Sequence, residues 1–393
     1  MRSNLFFELL QVALGRRSEI SSTLNVDEWK GIFATAQKQA LVGVCFTAIE
    51  KLPAEQRPPR EILLQWYAIT QQIEARNRVM NRKSVETCRY FEEQGFKACV
   101  LKGQGNAQMY VVNENDGTID MRLRRQSGDI DVWCVAPDVM KGEKCSINKS
   151  RSKVLKWVRQ RYPNEEFDMK HIHFHLFEGV PMEVHFVPSL LRDKLANRHL
   201  MRFYEHEMAA QMEHSIKLDG VEEAQGKLIY PTWGFNVVFQ LTHIFNHFLT
   251  EGVGLRQVMD YYFLLRSKNE EGKENCEDMV ASEAVKWIKK LRLLGFAGAL
   301  MWVMKEVLGL KEEEMLVPVD EKRGKVLLDE ILAGGNFGQH ESRYWYQVMS
   351  RWKFYLARMR RMLHFLRYYP SEVLWDIPSR IWQRIWMRFI SCY

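Results

Sequence analysis

Two aspartates, Asp129 and Asp131, stand two positions apart in the run Gly128-Asp-Ile-Asp-Val-Trp-Cys-Val135. Acidic and apolar residues alternate here, which predicts a β-strand with both carboxylates on one face. Neighbouring carboxylates repel each other unless a cation lies between them. Mg²⁺ prefers oxygen ligands and usually keeps phosphate oxygens and waters among them. The pair therefore indicates a Mg²⁺ (or Mn²⁺) site for a nucleoside triphosphate, and the plainer alternative is a solvated strand face.

A third carboxylate, Glu183, lies in the apolar run Val180-Pro-Met-Glu-Val-His-Phe186. An acid in the middle of an apolar strand needs a reason, and metal binding supplies one. Three carboxylates on neighbouring strands can hold two metal ions, one that lowers the pKa of an attacking hydroxyl and one that neutralises a leaving pyrophosphate. The residues predicted to be catalytic and to bind metal are Asp129, Asp131 and Glu183.

The turn Lys102-Gly-Gln-Gly105 follows a strand-like run and precedes a helix-like one. Glycines at such a helix start leave backbone N–H groups accessible to phosphate, and Lys102 adds a positive charge. The plainer alternative is an ordinary strand-to-helix turn. The spacing is neither that of a P-loop nor that of a three-glycine dinucleotide fingerprint.

Arg125 stands four residues before the aspartate pair. It is a candidate for a phosphate or carboxylate contact, and an ordinary surface arginine is an equal alternative. The residues predicted to bind the nucleotide are Lys102, Gly103, Gly105, Arg125 and Gly128.

Histidines are frequent in two neighbouring strand-like runs, 171–177 and 180–186. Glu178-Gly179 joins these runs and is typical of a tight hairpin turn. His171, His173 and His175 alternate and so share one strand face, and His185 lies on the partner strand. A zinc cluster is conceivable from such crowding, but no cysteine stands nearby at ligand spacing. A polar sheet face near the nucleotide is the preferred interpretation.

His243 and His247 lie four apart in the segment 228–250, which contains no charged residue. Its length would span a bilayer, but its many amide, hydroxyl and imidazole groups are costly in hydrocarbon, so we predict a mostly buried helix. The two histidines belong either to a hydrogen-bonded polar stripe or, with His185, to a group that orients the acceptor or the base.

The chain of 393 residues carries 56 basic and 49 acidic side chains, a net charge of +7. Residues 351–393 contain nine of the basic and two of the acidic ones, so the rest of the chain is neutral. The same segment contains eleven aromatic residues. It either packs on the body with its arginines solvated, or contacts a polyanion such as RNA or an anionic membrane.

The seven cysteines include no CxxC pair, and the first residues do not form a convincing signal peptide. These features favour a reducing, cytoplasmic environment without a disulfide framework or a transmembrane segment. We predict an α+β fold, in which a small mixed-sheet core is flanked by helical regions at both ends. The expected divisions are an N-terminal helical region (1–90), an α/β core (91–190) and a C-terminal helical domain with the basic aromatic tail (191–393).

The motifs together resemble the DNA polymerase beta-type nucleotidyltransferase superfamily, and more narrowly a bacterial group labelled the uncharacterised nucleotidyltransferase family. The resemblance spans roughly residues 90–340. It rests on Leu101-Lys-Gly103, Gly128-Asp-Ile-Asp131, Glu183 with His185, His243 with His247, Gly254-Leu-Arg-Gln257 with Asp260, and the loop 334–338.

This resemblance implies metal-dependent transfer of a nucleoside monophosphate from an NTP to an acceptor. Asp129 and Asp131 would hold the metals, and Glu183 would complete the triad or act as a base. The usual Gly-Ser of the superfamily's phosphate turn is Lys-Gly here, and the gap from Gly103 to Asp129 is longer than in that superfamily.

Two other classes of protein stay open from the sequence. One is a non-catalytic nucleotide- or RNA-binding protein on the same fold. The other is a membrane-peripheral protein that acts through its basic tail. For the enzyme, the acceptor is open among RNA, a protein hydroxyl, a sugar and a small molecule.

Overall fold

The computed structural model describes residues 2–114, 117–140, 146–165, 167–218, 220–222, 226–267, 274–336 and 351–391. The α+β prediction is confirmed, because a small mixed sheet lies between helices from both ends of the chain. Phe337 and Gly338 of the loop named above, and Cys392 and Tyr393 of the tail, lie outside the described residues.

The N-terminal part is helical. Its helices are α1 (Arg2–Ala13), α2 (Val26–Lys38), α3 (Val42–Lys51) and α4 (Arg60–Glu93), with a short 3-10 helix at Ala54–Gln56. The Asn25 side chain caps α2 by accepting hydrogen bonds from the N–H groups of Asp27 and Glu28, and the Glu28 carboxylate accepts one from the Asn25 N–H. The chain leaves α4 at Gly95, whose φ of +83° is costly for other residues.

The middle of the chain supplies the sheet. Its elements are β1 (Lys97–Val100), α5 (Gln104–Ala107), β2 (Val111–Glu114), β3 (Gly117–Asp120), β4 (Ile130–Val135), a 3-10 helix (Pro137–Val139), α6 (Ile147–Arg161), β5 (His171–His173) and β6 (Met182–His185). The strand order is β1-β4-β6-β5. β4 and β6 are parallel, while β1 and β5 pair antiparallel with β4 and β6 respectively. The parallel pair brings the starts of β4 and β6 to the same edge of the sheet.

The remainder is mostly helical. Its elements are α7 (Lys194–Glu213), β7 (Ser215–Ile216), β8 (Leu228–Ile229), α8 (Trp233–Thr250), α9 (Leu255–Arg266), α10 (Glu274–Lys290), α11 (Leu294–Leu308), a 3-10 helix (Glu312–Glu314), α12 (Glu321–Gly334), α13 (Arg351–Leu366), α14 (Pro370–Leu374) and α15 (Asp376–Ser391). The prediction of a buried helix in 228–250 is confirmed by α8, most of whose side chains are buried. Within the described ranges, no helix is both long and apolar enough to cross a membrane.

The sheet is held between aromatic side chains from both helical parts. On β4, the ring of Trp133 stacks on Phe235 of α8 at 5.8 Å between centroids. Phe91 of α4 packs against Phe174, just after β5, at 5.4 Å. Burying aromatic surface on both sides fixes the strands in place. The residues at the strand starts therefore stand on a rigid platform.

The tail helices are docked on this body. Phe365 of α13 is fully buried and packs against Phe248 of α8 at 4.6 Å. Arg361 donates a 2.8 Å hydrogen bond from Nη2 to the carbonyl of Phe248. The Glu372 carboxylate accepts hydrogen bonds from the backbone N–H groups of Arg192 and Asp193. One side of the tail thus packs on the body, as one of the two alternatives from the sequence predicts.

Candidate active site

The three predicted carboxylates are brought to one region of the sheet. In the parallel pairing of β4 with β6, Asp131 lies directly opposite Glu183. Asp129 precedes β4 by one residue and stands two positions before Asp131, so it continues the same face. On the other side of Glu183, β5 places His173 opposite it. Register alone therefore sets three acids and a histidine side by side.

An ammonium group and an imidazole contact Asp131. The Nζ atom of Lys102 lies 3.0 Å from its Oδ2, and His185 Nε2 lies 3.0 Å from its Oδ1. Burial alone would raise the pKa of Asp131, but the charge of Lys102 and the hydrogen bond to His185 lower it to about 2. Asp131 is therefore ionised at any physiological pH.

Glu183 is held between two imidazoles. His185 Nε2 lies 3.3 Å from Glu183 Oε2, and His171 Nε2 lies 3.3 Å from Oε1. Burial opposes ionisation, but these hydrogen bonds hold the pKa of Glu183 well below its usual value. The imidazole rings of His171 and His185 stack at 5.3 Å between centroids. The row of histidines is thus part of the carboxylate site.

Asp168 also belongs to this group of side chains, through His171. It was not predicted from the sequence as a site residue. Its Oδ1 lies 3.1 Å from His171 Nδ1. Burial tends to lower the pKa of His171, yet hydrogen bonds to Asp168 and Glu183 raise it to about 9. Asp168 stands three residues before His171 in a polar stretch, and no pattern there distinguishes it from a surface acid.

Asp129 is the acid least compensated by its surroundings. The negative charge of Asp131 raises its pKa, burial raises it further, and Lys102 offsets only part of this. A divalent cation between the two carboxylates would remove the repulsion.

Two groups of ligand atoms among the described residues could hold a cation, and Asp129 belongs to neither. Ligand atoms of Asp131, Glu183 and His185 lie within 4.8 Å of one another, and those of His171, His173 and Glu183 form a second such group. The carboxylate oxygens suit Mg²⁺, and the nearby imidazole is also acceptable to Mn²⁺. The preference for a polar sheet face near the nucleotide over a zinc cluster stays a prediction.

The Lys-Gly turn borders this site through Gly103. Gly103 has a φ of +68°, and a Cβ built there would lie 3.6 Å from the carbonyl oxygen of Asp129. Next to it, the Leu101 N–H donates a 2.9 Å hydrogen bond to the Asp131 carbonyl. Gly105 instead faces the ring of Tyr230, only 2.0 Å from its own notional Cβ. Gly103 thus lies against the backbone of Asp129, and Gly105 allows close packing with Tyr230.

Arg125 is buried, so its interpretation as a surface arginine is wrong. Its Nε and Nη2 donate 2.7 Å hydrogen bonds to the two carboxylate oxygens of Asp260 on α9. Asp260 also accepts a 2.6 Å hydrogen bond from the Tyr110 hydroxyl. Arg125 and Lys102 line one small cavity of about 30 Å³, so the guanidinium lies near the Lys-Gly turn. Gly128 is close to a second arginine, since a Cβ there would lie 3.8 Å from Arg256 Nη1.

The α8 histidines lie on the other side of Lys102. His243 Nε2 lies 3.4 Å from Lys102 Nζ, and its ring lies 4.4 Å from that of His247. Burial and the charge of Lys102 hold the pKa of His243 well below its usual value, so its imidazole is neutral. Burial also lowers the pKa of His247, although Glu251 accepts a hydrogen bond from it. The structure therefore brings His185 to the carboxylates and His243 to Lys102, with His247 one turn further along α8.

The family model described as an uncharacterised nucleotidyltransferase matches residues 25–309. The chain belongs to this family. No protein of curated function and no solved structure matches it. The matched range contains all the carboxylates, the Lys-Gly turn and the histidines described above, and it ends before the tail helices. Membership supports nucleotidyl transfer as the general activity, with a nucleotide as one substrate.

Proposed function

We propose that this member of the family is a Mg²⁺- or Mn²⁺-dependent enzyme that transfers a nucleoside monophosphate from an NTP to a hydroxyl or phosphate of an acceptor. The observation that carries the proposal is the pairing of Asp131 with Glu183 across parallel strands, with Asp129 two residues away. The charge of Asp131 and burial raise the pKa of Asp129, and a cation bound between the two carboxylates would offset this repulsion. On its motifs we further assign the chain to the polymerase beta-type superfamily and to bacteria, and on its cysteine pattern to the cytoplasm.

In this proposal Asp129, Asp131 and Glu183 hold the metal. When bound, a divalent metal lowers the pKa of an attacking hydroxyl and neutralises charge on the leaving pyrophosphate. Lys102, beside Asp131, contacts the phosphates as a positive charge. Because His171 and His185 keep the pKa of Glu183 low, Glu183 is better suited to be a ligand than a base.

The direct test is incubation with each of four α-labelled NTPs, Mg²⁺ and cell extract. The proposal predicts label on an acceptor and release of pyrophosphate, both abolished by EDTA and restored by excess Mg²⁺ or Mn²⁺. A non-catalytic nucleotide-binding protein would bind the NTP without releasing pyrophosphate. That result, obtained with several extracts, would contradict the enzyme.

A second candidate function, attachment to an anionic membrane, is favoured by the exposed side of the tail. Nine of the eighteen large apolar side chains that are exposed in the described ranges belong to residues 351–391. These residues are Leu356, Met359, Leu363, Leu374, Trp375, Ile377, Ile381, Trp382 and Ile385. Exposed arginines lie among them, at positions 360, 367, 380, 384 and 388. Apolar residues with interspersed basic ones are typical of helices that lie in the interface of anionic lipids.

Vesicle flotation tests this candidate. We expect the full chain to float with vesicles containing phosphatidylserine at low salt and much less with phosphatidylcholine alone. The triple variant Ile377→Ser/Ile381→Ser/Ile385→Ser should lose flotation, while Leu64→Ser, an exposed apolar residue outside the tail, should keep it. Equal flotation of both variants, or none of the wild type, would contradict membrane attachment.

A further inference from the structure

A cavity of about 720 Å³ opens beside the carboxylates. The residues before β5, the segment after β6 and the start of α7 form its inner side, together with α8. Residues 375–383, at the start of α15 and just before it, form its outer side, and we call them the C-terminal wall. The volume lies within the roughly 300–1,000 Å³ typical of small-molecule sites.

Two side chains connect the cavity to the carboxylates. His243 lines it and lies 3.4 Å from Lys102, which contacts Asp131. Asp168 also lines it and contacts His171, whose other nitrogen lies 3.3 Å from Glu183. A ligand in the cavity is therefore two side chains away from Asp131, through His243 and Lys102. It is likewise two side chains away from Glu183, through Asp168 and His171.

The lining carries an excess of positive charge. Five basic side chains face two acids, Asp168 and Glu251. Both acids are already engaged by histidines, His171 and His247. The five basic residues are Lys170, Arg192, Lys194, Arg198 and Arg380. Arg192 and Arg380 contact Asp376 at 3.1 and 3.2 Å, and Arg358 contacts it at 2.9 Å, so one acid serves three guanidinium groups. This basic lining favours an anionic ligand. Phosphate is a suitable one, because an arginine guanidinium can donate two parallel hydrogen bonds to its oxygens.

Aromatic surface faces the same space. Trp375 and Trp382 of the C-terminal wall line the cavity and are 37% and 60% exposed. Tryptophan rings at a basic groove are a natural stacking surface for nucleobases. The wall is fixed in place, because Glu372 accepts hydrogen bonds from the backbone after β6 and Asp376 contacts Arg192.

We propose that this cavity binds the nucleoside triphosphate, with Arg198, Arg380 and Lys170 contacting its phosphates and Trp382 stacking on its base. The inference rests on the proposed function and deepens it. The C-terminal wall lies beyond residues 25–309, the range matched by the family. Nucleotide binding in this chain thus depends on a segment outside the shared region, and the tail has a role besides packing.

The test measures binding of each of the four NTPs to the full-length protein with Mg²⁺ by equilibrium dialysis. Arg198→Gln has a matched control in Arg202→Gln, since Arg202 is exposed one turn along α7 and does not line the cavity. Trp382→Ala has a control in Leu64→Ala, which changes an exposed apolar residue that lies outside the tail and does not line the cavity. All four changed side chains are exposed, and thermal melting verifies that each variant folds.

We expect Arg198→Gln and Trp382→Ala each to raise the Kd for the preferred NTP at least about tenfold, as the loss of one charged contact or one stacked base implies. Both control variants should stay within about twofold of the wild type, the small effect typical of surface changes away from a site. Unchanged binding in the two cavity variants would overturn the inference but leave the proposed function standing. An effect of those variants on the KM for the acceptor alone would also overturn the inference and leave the proposed function standing. A wild-type protein that binds no NTP would contradict the proposed function itself.

Discussion

The buried carboxylate of Asp260 accepts two hydrogen bonds from the Arg125 guanidinium and one from the Tyr110 hydroxyl. Burial alone would raise the pKa of Asp260, but the charge of Arg125 and the hydrogen bonds lower it below its usual 3.8. A buried pair of this kind is costly to break, because the remaining charge has no water to solvate it. The pair holds the chain before β4 to α9.

We therefore expect Asp260→Asn to lower the free energy of unfolding at pH 7 by about 3–5 kcal/mol. Urea denaturation followed by circular dichroism measures this. A folded-state pKa below the unfolded one gives stability that is complete above about pH 4 and lost as the pH falls through the folded pKa. The difference between wild type and variant should therefore shrink in acid.

The matched control is Asp138→Asn, an acid that is exposed and pairs with Lys153. It should change the unfolding free energy by no more than about 0.5 kcal/mol. Equal stability of Asp260→Asn and the wild type at pH 7 would contradict the structural role of the pair.

For single residues, the sequence predicted a role where the signal is local, within one strand. Asp129, Asp131 and Glu183 follow from alternation within single strands. The partner of Arg125 lies 135 positions away, so no spacing could indicate it. Asp168 was missed because its link to His171 depends on a bend before β5, which no pattern encodes.

In the turn between β1 and α5 and the start of α5, close packing requires glycine at position 105. A Cβ at Gly105 would lie 2.0 Å from the ring of Tyr230, whose hydroxyl donates a 2.6 Å hydrogen bond to Asn106 Oδ1. The ring is thus held in place and cannot move aside cheaply. Packing of this kind fixes the position of the Lys-Gly turn beside the carboxylates.

Gly105→Ala should therefore destabilise the protein by about 1–3 kcal/mol, the usual cost of overpacking a core. It should also lower nucleotidyl transfer, because Lys102 moves with the turn. Thermal melting and the labelling assay measure both effects. Gly334→Ala is the control, since nothing lies within 4 Å of its notional Cβ in α12, and it should be neutral or slightly stabilising. If the two variants melt at the same temperature, the packing argument is wrong.

Element types were predictable where local signals agree. The long helix α4 ends two residues before Gly95, the strands follow from alternation, and Gly179 with φ +69° closes the β5–β6 hairpin. The order β1-β4-β6-β5 was not predictable, because pairing β4 with β6 joins residues 50 or so positions apart. Such long-range pairing depends on the whole core rather than on any one segment.

For the molecule as a whole, the tail packs on the folded body with one side and exposes the other. Phe365 packs on Phe248 at 4.6 Å, and Tyr369 contacts the same ring at 5.7 Å. The sequence left packing and polyanion contact open, because basic residues and aromatics suit both. The structure places some of these aromatics in the core and leaves others, such as Trp382, exposed.

Phe365→Ala should therefore lower the free energy of unfolding of the full chain by about 3–5 kcal/mol, as for other buried phenylalanines. Its matched control is Leu363→Ala on the same helix, which is 64% exposed and should change it by no more than about 0.5 kcal/mol. An unchanged unfolding curve for Phe365→Ala would mean that the tail does not contribute to the folded body.

The central claim is that the carboxylates at the starts of β4 and β6 perform metal-dependent nucleotidyl transfer. Asp129→Asn tests it most directly, because the repulsion between Asp129 and Asp131 means that removing this charge does not by itself destabilise the fold. The measurement is Mg²⁺-dependent labelling of the acceptor from an α-labelled NTP, by wild type, Asp129→Asn, Asp131→Asn and the control Asp138→Asn. We predict that the first two variants lose at least about 100-fold in rate, equivalent to about 2.7 kcal/mol in activation free energy, with Asp129→Asn melting no lower than the wild type. Labelling at the wild-type rate by folded Asp129→Asn and Asp131→Asn would contradict the claim.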